Sequence, residues 1–222
     1  MEIRENLNSF LSTIPPKVKL VAVSKTKPMD AIQEAYDAGQ RIMGENKVQD
    51  LVAKAEVLPT DIEWHFIGHM QTNKVKFIAP FVQLIHAVDS MKLLKEINKQ
   101  GAKNNRIINC LLQFHIAQES TKFGLDLDKA INILNSSEYK TFENLRVVGV
   151  MGMATYTDDE TQIRNEFKKL VGNFKLLKSI YFSDRSYFKE ISMGMSDDYK
   201  IAIDEGSTMI RIGTKIFGER NY

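Results

Sequence analysis

Short apolar runs alternate with stretches of helical spacing along the whole chain, and this alternation constrains the fold more than any single motif. The strand-like runs fall at 19–25, 41–44, 63–67, 82–88, 105–114, 145–151, 188–192 and 208–212. Successive strand and helix units need right-handed crossovers between parallel strands, and eight of them in 222 residues favour a closed barrel over an open doubly wound sheet. The sequence therefore predicts one α/β domain, residues 1–222, folded as a single (β/α)8 TIM barrel.

Helix start and stop signals add detail to this barrel. Residues 1–13 have helical spacing and end before Pro15-Pro16, which predicts an extra N-terminal helix. Thr157 and Glu160 have the spacing of a capping box at the start of a long helix. Ser196 is the expected N-cap of the helix that follows the seventh strand.

The nearly balanced charge limits the partners of the chain. The 30 basic and 28 acidic residues leave a net charge of +2, so no strong field would attract nucleic acid or an anionic membrane. Apolar runs are too short to span a bilayer. The single cysteine, Cys110, cannot form an internal disulfide and fits a reducing compartment. We expect a soluble cytoplasmic protein that binds neither nucleic acid nor membrane.

Lys25 ends the first strand-like run and is the first candidate for chemistry. If the strand alternates regularly, Val21, Val23 and Lys25 share its interior face, so the amine points into the mouth of the barrel. The alternative is a lysine that leaves the strand for solvent, as most lysines do. Active sites of such barrels lie at the carboxyl ends of the strands.

The loops after strands seven and eight carry the signs of an anion site. Ser196 opens a predicted helix, and Gly213 and Thr214 offer close backbone approach, a hydroxyl and a further N–H group. Asp197 and Asp198 would repel a phosphate and should point outward. For either loop taken alone, the alternative is a purely structural role: Ser196 caps a helix, and Gly213 is an ordinary turn glycine. A phosphate site opposite an inward lysine indicates a phosphorylated aldehyde or ketone that forms a Schiff base.

Five ordered motifs together resemble one protein family. They are Val23-Ser24-Lys25-Thr26-Lys27-Pro28, Gly44-Glu45-Asn46, Gly68-His69-Met70-Gln71-Thr72-Asn73-Lys74, Ser192-Met193-Gly194-Met195-Ser196-Asp197-Asp198 and Arg211-Ile212-Gly213-Thr214. Over essentially the whole chain this set resembles the pyridoxal phosphate homeostasis proteins of the YggS/PROSC type. That family is similar in fold to the barrel domain of alanine racemase and of eukaryotic-type ornithine decarboxylase, which is fold type III of the proteins that bind pyridoxal 5'-phosphate (PLP).

The resemblance implies that PLP is bound through Lys25 as a Schiff base. It implies that Ser196, Gly213 and Thr214 hold the phosphate and that Arg211 lies beside the pyridine nitrogen. Further residues that it places around the cofactor are Asn46, His69, Met151, Ser192, Met193 and Met195. Because an arginine cannot accept a proton, a pyridine nitrogen facing Arg211 would accept a hydrogen bond unprotonated, and such a ring is a poorer electron sink.

The function that the resemblance implies is intracellular homeostasis and supply of PLP by a monomer, with PLP-dependent apoenzymes as recipients. A racemase of this fold places a tyrosine from a second domain of the partner subunit opposite the lysine, whereas this chain ends at Tyr222. A carrier is therefore favoured over an enzyme. The alternatives are a slow PLP-dependent amino-acid racemase or decarboxylase of fold type III, and a barrel aldolase that uses Lys25 on phosphosugars.

A few other polar residues have candidate roles. Lys122 is the second candidate amine at the active face, with a solvated loop lysine as the favoured alternative, and His115 occupies a position where the family favours asparagine. His65 and His69 stand four residues apart across a strand end, where they do not share a face and make an improbable zinc pair. His86 is expected to be a packed or hydrogen-bonded histidine.

Overall fold

The computed structural model describes residues 2–119 and 123–219. Strands β1 to β8 cover Lys19–Val23, Ile42–Glu45, Glu63–Phe66, Leu84–Val88, Ile108–Phe114, Leu145–Gly152, Glu190–Ser192 and Met209–Ile212. Helices α1 to α9 cover Glu2–Leu11, Met29–Asp37, Val48–Ala55, Val75–Ile78, Met91–Lys103, Leu127–Asn135, Glu160–Tyr181, Tyr199–Asp204 and Thr214–Phe217. Helices thus alternate with strands as the sequence predicted.

The strands of the described residues close into one parallel barrel in the order β1 to β8. Closure comes from β1, which pairs with β2 on one side and with β8 on the other. In the β1–β8 pair Lys19 lies opposite Met209 and Val21 lies opposite Arg211. Because all pairs are parallel, the carboxyl ends of the strands meet at one mouth of the barrel and the amino ends at the other. The prediction of an eight-stranded (β/α)8 barrel is confirmed.

Strand alternation divides the buried side chains between two layers. Leu20 and Ala22 face the helices and belong to the large outer core, whereas Val21 faces the barrel interior. The apolar interior cluster is small, and its buried members are Val21, Leu84, Ala87, Leu111, Val148, Met151 and Met209. Polar side chains occupy much of the remaining interior, which is the feature that positions the site.

Three boundaries differ from the sequence prediction. Strand β1 ends at Val23, so Lys25 lies in the following turn and not on the strand. The cap of α7 is Asp159, whose carboxylate accepts hydrogen bonds from the N–H groups of Thr161 and Gln162, so the Thr157 capping box was wrong. Helix α8 begins only at Tyr199, so Ser196 lies in a turn and is not an N-cap.

Helix α1 is the extra N-terminal helix that the sequence predicted. It buries Leu7 and Phe10, and the ring centroid of Phe10 lies 5.0 Å from that of Tyr199 in α8. The side-chain amide of Asn6 donates a hydrogen bond to the carbonyl of Ile216 in α9. The helix therefore covers the outside of the barrel where the chain closes it. Among the described residues, no helix has the length and apolar character needed to cross a membrane.

Candidate functional site

Lys25 lies at the carboxyl mouth of the barrel, half-buried in the turn between β1 and α2. The next residue, Thr26, has a φ of 65°, which is the left-handed conformation that non-glycine residues seldom adopt. Gly213, after β8, lies beside this turn, because a Cβ at Gly213 would approach the carbonyl oxygen of Val23 to 3.3 Å. The turn of Lys25 and the loop after β8 are therefore neighbours, as the resemblance required.

A buried ion pair supports this turn from the helix side of the barrel. The Lys54 ammonium donates to the Glu45 carboxylate at 2.6 Å and to the carbonyl of Ser24 at 2.9 Å. The Ser24 hydroxyl also donates to Glu45, at 2.6 Å. Burial raises the pKa of Glu45, while the hydrogen bonds from Lys54 and Ser24 oppose that shift. The residue next to Lys25 is thus held by both its side chain and its backbone.

Lys27 ties the same turn to the end of the described chain. Its ammonium donates to the carbonyls of Phe217, Gly218 and Glu219 at 2.9, 3.1 and 2.6 Å. A lysine can satisfy its three donors in this way because carbonyl oxygens converge where a helix ends. Sequence reasoning missed the roles of Lys27, Glu45 and Lys54. The available signal was the position of Lys27 and Glu45 inside the quoted motifs.

Arg211 reaches the carboxyl mouth from β8 and is 4% exposed. Its guanidinium donates to the hydroxyl of Ser192 at 2.6 Å and to the carbonyl of Gly152 at 3.1 Å. Burial lowers the pKa of Arg211 to about 10, although the charge of Asp198 opposes the shift. No described carboxylate forms an ion pair with this guanidinium, which has five N–H donors. A buried cation of this kind is suited to binding an acceptor atom of a ligand.

A row of hydrogen bonds continues from Arg211 through the barrel interior. Ser192 Oγ lies 3.0 Å from His86 Nδ1, and His86 Nε2 lies 3.0 Å from His65 Nδ1. Burial lowers the pKa of His65 to about 3 and holds the pKa of His86 well below its ordinary value, so both rings are neutral. The prediction of a hydrogen-bonded His86 is confirmed. The role of His65 was missed, because only the closed barrel brings β3 and β4 side chains together inside it.

The loops after β7 and β8, which the sequence predicted to bind an anion, lie next to each other. The hydroxyl of Thr214 donates to that of Ser196 at 3.0 Å. Thr214 also opens α9, where the N–H groups of Ile216 and Phe217 donate to the carbonyl of Gly213, whereas those of Thr214 and Lys215 have no partner within the helix. Asp197 is exposed, but Asp198 turns inward and accepts a hydrogen bond from the N–H of Met195 at 2.6 Å. The expectation that Asp198 points outward was wrong.

The residues expected to line the site are placed unequally. Asn46 lies half-buried at the end of β2, and Met151 is buried in the interior cluster. His69 is exposed and stacks on Phe123 with ring centroids 4.1 Å apart. Met193 departs from the expectation, because its side chain is fully buried in the outer core between strands and helices.

Met195, unlike the fully buried Met193, lies in the loop after β7 with its side chain 38% exposed. His115 is half-buried, and its Nε2 lies 2.8 Å from the carbonyl of Glu119. Lys122, the second candidate amine, lies outside the described residues. Ser192, Arg211 and Gly213 stand around the same mouth as Lys25.

Comparison with known proteins agrees with this fold. The family model described as alanine racemase, N-terminal domain, matches residues 1–221. The fold and site therefore define an alanine-racemase-type barrel. The chain is 40% identical over 207 residues, 92% of its length, to the pyridoxal phosphate homeostasis protein of Aquifex aeolicus, of which the match covers 88%. It is 37% identical over 212 residues, 94% of its length, to that of Escherichia coli K12, again with 88% of the relative covered. The chain belongs to the family of the pyridoxal phosphate homeostasis proteins.

Solved structures extend the comparison. PipY of Synechococcus elongatus, a structure with PLP bound, has a TM-score of 0.88 and 33% identity, with 97% of this chain and 100% of that chain covered. The alanine racemase of Clostridium difficile has a TM-score of 0.76 at 13% identity, with all of this chain and 60% of that chain covered. The second likeness concerns the fold alone.

Proposed function

We propose that this protein binds PLP at the carboxyl mouth of its barrel and serves the homeostasis and supply of that cofactor. The observation that carries the proposal is that three parts of the chain meet at one mouth: the turn that contains Lys25, the buried guanidinium of Arg211 and the hydroxyl pair of Ser196 and Thr214. Relatives that share 35–40% of the sequence are named for PLP homeostasis, and PipY has been solved with PLP.

The residues present fit the chemical groups of PLP one by one. A phosphate monoester needs hydrogen-bond donors, which the hydroxyls of Ser196 and Thr214 and the N–H groups of Thr214 and Lys215 supply. A pyridine nitrogen needs one donor, and Arg211 retains donors beyond the two contacts described. When bound, PLP supplies an electrophilic aldehyde carbon and a conjugated ring. The amine that matches this aldehyde is that of Lys25.

Lys25 forms the covalent attachment in this proposal. Its amine would hold the cofactor as a Schiff base to the aldehyde carbon, with the aldehyde oxygen lost as water. The ion pair of Glu45 and Lys54 orients the step by holding Ser24, the residue before the nucleophile. The other residues of the mouth then set where the phosphate and the ring lie.

Arg211 favours a carrier over an amino-acid enzyme. The guanidinium only donates hydrogen bonds, so it stabilises an unprotonated pyridine nitrogen. Such a ring withdraws electrons weakly, which makes carbanion formation on a bound amino acid less favourable. The release of PLP to apoenzymes in the cytoplasm, from a monomeric protein, completes the proposal.

An absorption spectrum recorded before and after borohydride reduction tests this function. The protein mixed with PLP should show a visible band, reduction should abolish it, and mass spectrometry should find the modified peptide at Lys25. Lys25→Ala should lose the band, whereas Lys47→Ala, which removes an exposed lysine near the same mouth, should keep it. Modification elsewhere would overturn the assignment of Lys25, and rapid racemisation or decarboxylation of amino acids would overturn the carrier role.

A further inference from the structure

The other mouth of the barrel, formed by the amino ends of the strands, contains a cavity of about 420 Å³. It lies opposite the PLP mouth and is lined by residues at the starts of several strands, including Lys19, Glu63, Arg146 and Glu190. A cavity of this volume falls within the range of small-molecule sites. In most barrels of this type the amino-terminal face serves stability alone.

The charges of this cavity leave cations available for a ligand. Lys19 pairs with Glu190 at 2.5 Å, and the second oxygen of Glu190 accepts from the hydroxyl of Thr208 at 3.0 Å. Arg146 and Lys189 also line the cavity, and neither forms an ion pair with the described residues. The guanidinium of Arg146 instead lies over the ring of Tyr187, 4.9 Å from its centroid.

Counting the formal charges decides the sign of the cavity. Three cations, Lys19, Arg146 and Lys189, face two carboxylates, Glu63 and Glu190, so the lining has one positive charge in excess. Glu190 is already neutralised by Lys19, and Glu63 is exposed at the rim. The cavity therefore favours an anionic group, which Arg146 and Lys189 would contact.

His65 supplies the polar group at the inner end of the cavity. It is 3% exposed and lines the cavity, and its Nδ1 contacts His86. The opposite ring nitrogen, Nε2, makes no hydrogen bond with the described residues. One buried side chain thus directs an unpartnered nitrogen to the place where an anion would lie.

The hydroxyl of Ser192 decides whether that nitrogen donates or accepts. Ser192 Oγ accepts from Arg211, and its other contact among the described residues is His86 Nδ1. We assign the single Ser192 hydrogen to Nδ1, which places the proton of His86 on Nε2, from where it donates to His65 Nδ1. His65 then bears its own proton on Nε2. The barrel presents an N–H donor to the cavity.

We propose that the amino-terminal mouth of the barrel is a second binding site, for a small organic molecule that bears a carboxylate or a phosphate. The oxyanion accepts from Nε2–H of His65 and lies between Arg146 and Lys189. Its occupancy is coupled to the PLP mouth through His65, His86, Ser192 and Arg211, whose contacts form one continuous row of 3.0, 3.0 and 2.6 Å.

The coupling has a simple physical origin and rests on the proposed function. Hydrogen bonds in a row polarise one another, so an anion that accepts from His65 strengthens each donation along the row in a low-dielectric interior. Ser192 then becomes a better acceptor for Arg211, which fixes that guanidinium for the ring nitrogen of PLP. Linkage requires the reverse effect as well, so PLP should tighten the binding of the anion by the same factor.

Calorimetric titration of borohydride-reduced, PLP-loaded protein tests the site, because the covalent cofactor then occupies the other anion site. The probes are succinate, inorganic phosphate and the uncharged succinamide. We expect saturable binding of one of the two anions and none of succinamide. The Arg146→Gln, Lys189→Gln double variant should weaken this binding at least about tenfold, as the loss of charged hydrogen bonds predicts. Lys168→Gln, which removes an exposed lysine of α7, should leave it unchanged.

Several outcomes would overturn the site. They are the failure of both anions to bind at tens of millimolar, equal binding of succinamide, and equal binding by the double variant. If the protein does not take up PLP at all, the same titration on untreated protein decides the site separately from the proposed function. A cluster that serves stability alone would change the melting temperature of the double variant and bind neither probe.

The coupling needs its own measurement, which is the PLP affinity with and without the anion that binds. We expect the anion to tighten PLP binding severalfold in the wild type and in Lys168→Gln, and not in His65→Leu. Should His65→Leu fail to fold, Arg146→Gln replaces it, because loss of the anion must also remove the tightening. Anion binding that leaves the PLP affinity unchanged would overturn the coupling.

Discussion

Lys25 owes its position to charges that are buried behind it. Glu45 is fully buried, the Lys54 side chain is 8% exposed, and the two meet at 2.6 Å behind Ser24. One carboxylate oxygen of Glu45 has no partner among the described residues. Burying both charges has a desolvation penalty. Removing one partner destabilises the fold further, because the other charge then stays in the interior without a counterion.

Glu45→Gln should therefore lower the free energy of unfolding by about 3–5 kcal/mol, because it leaves the Lys54 ammonium buried without its counterion. Urea denaturation of the apoprotein measures the change. Glu56→Gln is the control. It removes an exposed carboxylate at the C-terminal end of α3, the helix that contains Lys54, and should change the free energy of unfolding by less than about 0.5 kcal/mol. Similar losses in the two variants would show that the pair of Glu45 and Lys54 does not hold the turn.

Arg211→Ala should weaken PLP binding about 10- to 100-fold, since hydrogen bonds from a charged donor contribute about 1.5–3 kcal/mol. Lys27→Ala should have a smaller effect, because Lys27 contacts backbone carbonyls of residues 217–219. Equilibrium dialysis of both variants against PLP measures the difference. Equal losses of affinity would contradict the placement of the pyridine nitrogen beside Arg211.

At the scale of elements, the structure differs from the sequence prediction in the connections that follow the strands. The segment between β7 and α8 has a turn where a helix start was expected, and Asp198 uses its carboxylate on the N–H of Met195. Capping patterns are short and recur by chance, so the side chain that is used depends on which residue the preceding loop brings to the helix end. At the start of α7, for example, the cap is Asp159 and not the predicted Thr157.

Asp159→Ala should lower the free energy of unfolding by about 1 kcal/mol, as the loss of an N-cap that accepts two hydrogen bonds predicts. Thr157→Ala removes a hydroxyl whose one hydrogen bond with the described residues comes from the N–H of Asp159, so it should lower the free energy of unfolding by less. Thermal unfolding of the two variants compares them. A larger loss for Thr157→Ala would restore the capping box that the sequence suggested.

At the scale of the whole molecule, the polar interior of the barrel links stability to pH. His65 and His86 are neutral in the folded protein, with the pKa of His65 near 3, while an unfolded histidine has a pKa of about 6.5. Between these values the unfolded chain binds protons that the folded chain does not. Stability must therefore fall as the pH drops below about 6.5.

Each buried histidine adds a slope of up to about 1.4 kcal/mol per pH unit in that window. His65→Gln should reduce the loss of stability between pH 7 and pH 5, whereas His69→Gln, which alters an exposed ring, should not. Glu45 acts in the opposite sense, because its raised pKa favours the folded state as the pH falls, so the slopes are compared between variants. Urea midpoints across this range provide the measurement, and identical slopes in both variants would contradict it.

The sequence by itself determined the barrel, and it predicted that the carboxyl mouth carries the chemistry and that the loops after β7 and β8 bind an anion. Strand periodicity, the number of repeats and the carboxyl-end rule are local or topological, so they need no coordinates. The predicted meeting of Ser196 and Thr214 followed from them. Only the tertiary structure decided the ion pair behind Lys25, the inward Asp198 and the row from Arg211 to His65. These contacts join residues distant in sequence, and closure of the barrel alone sets which side chains share its interior.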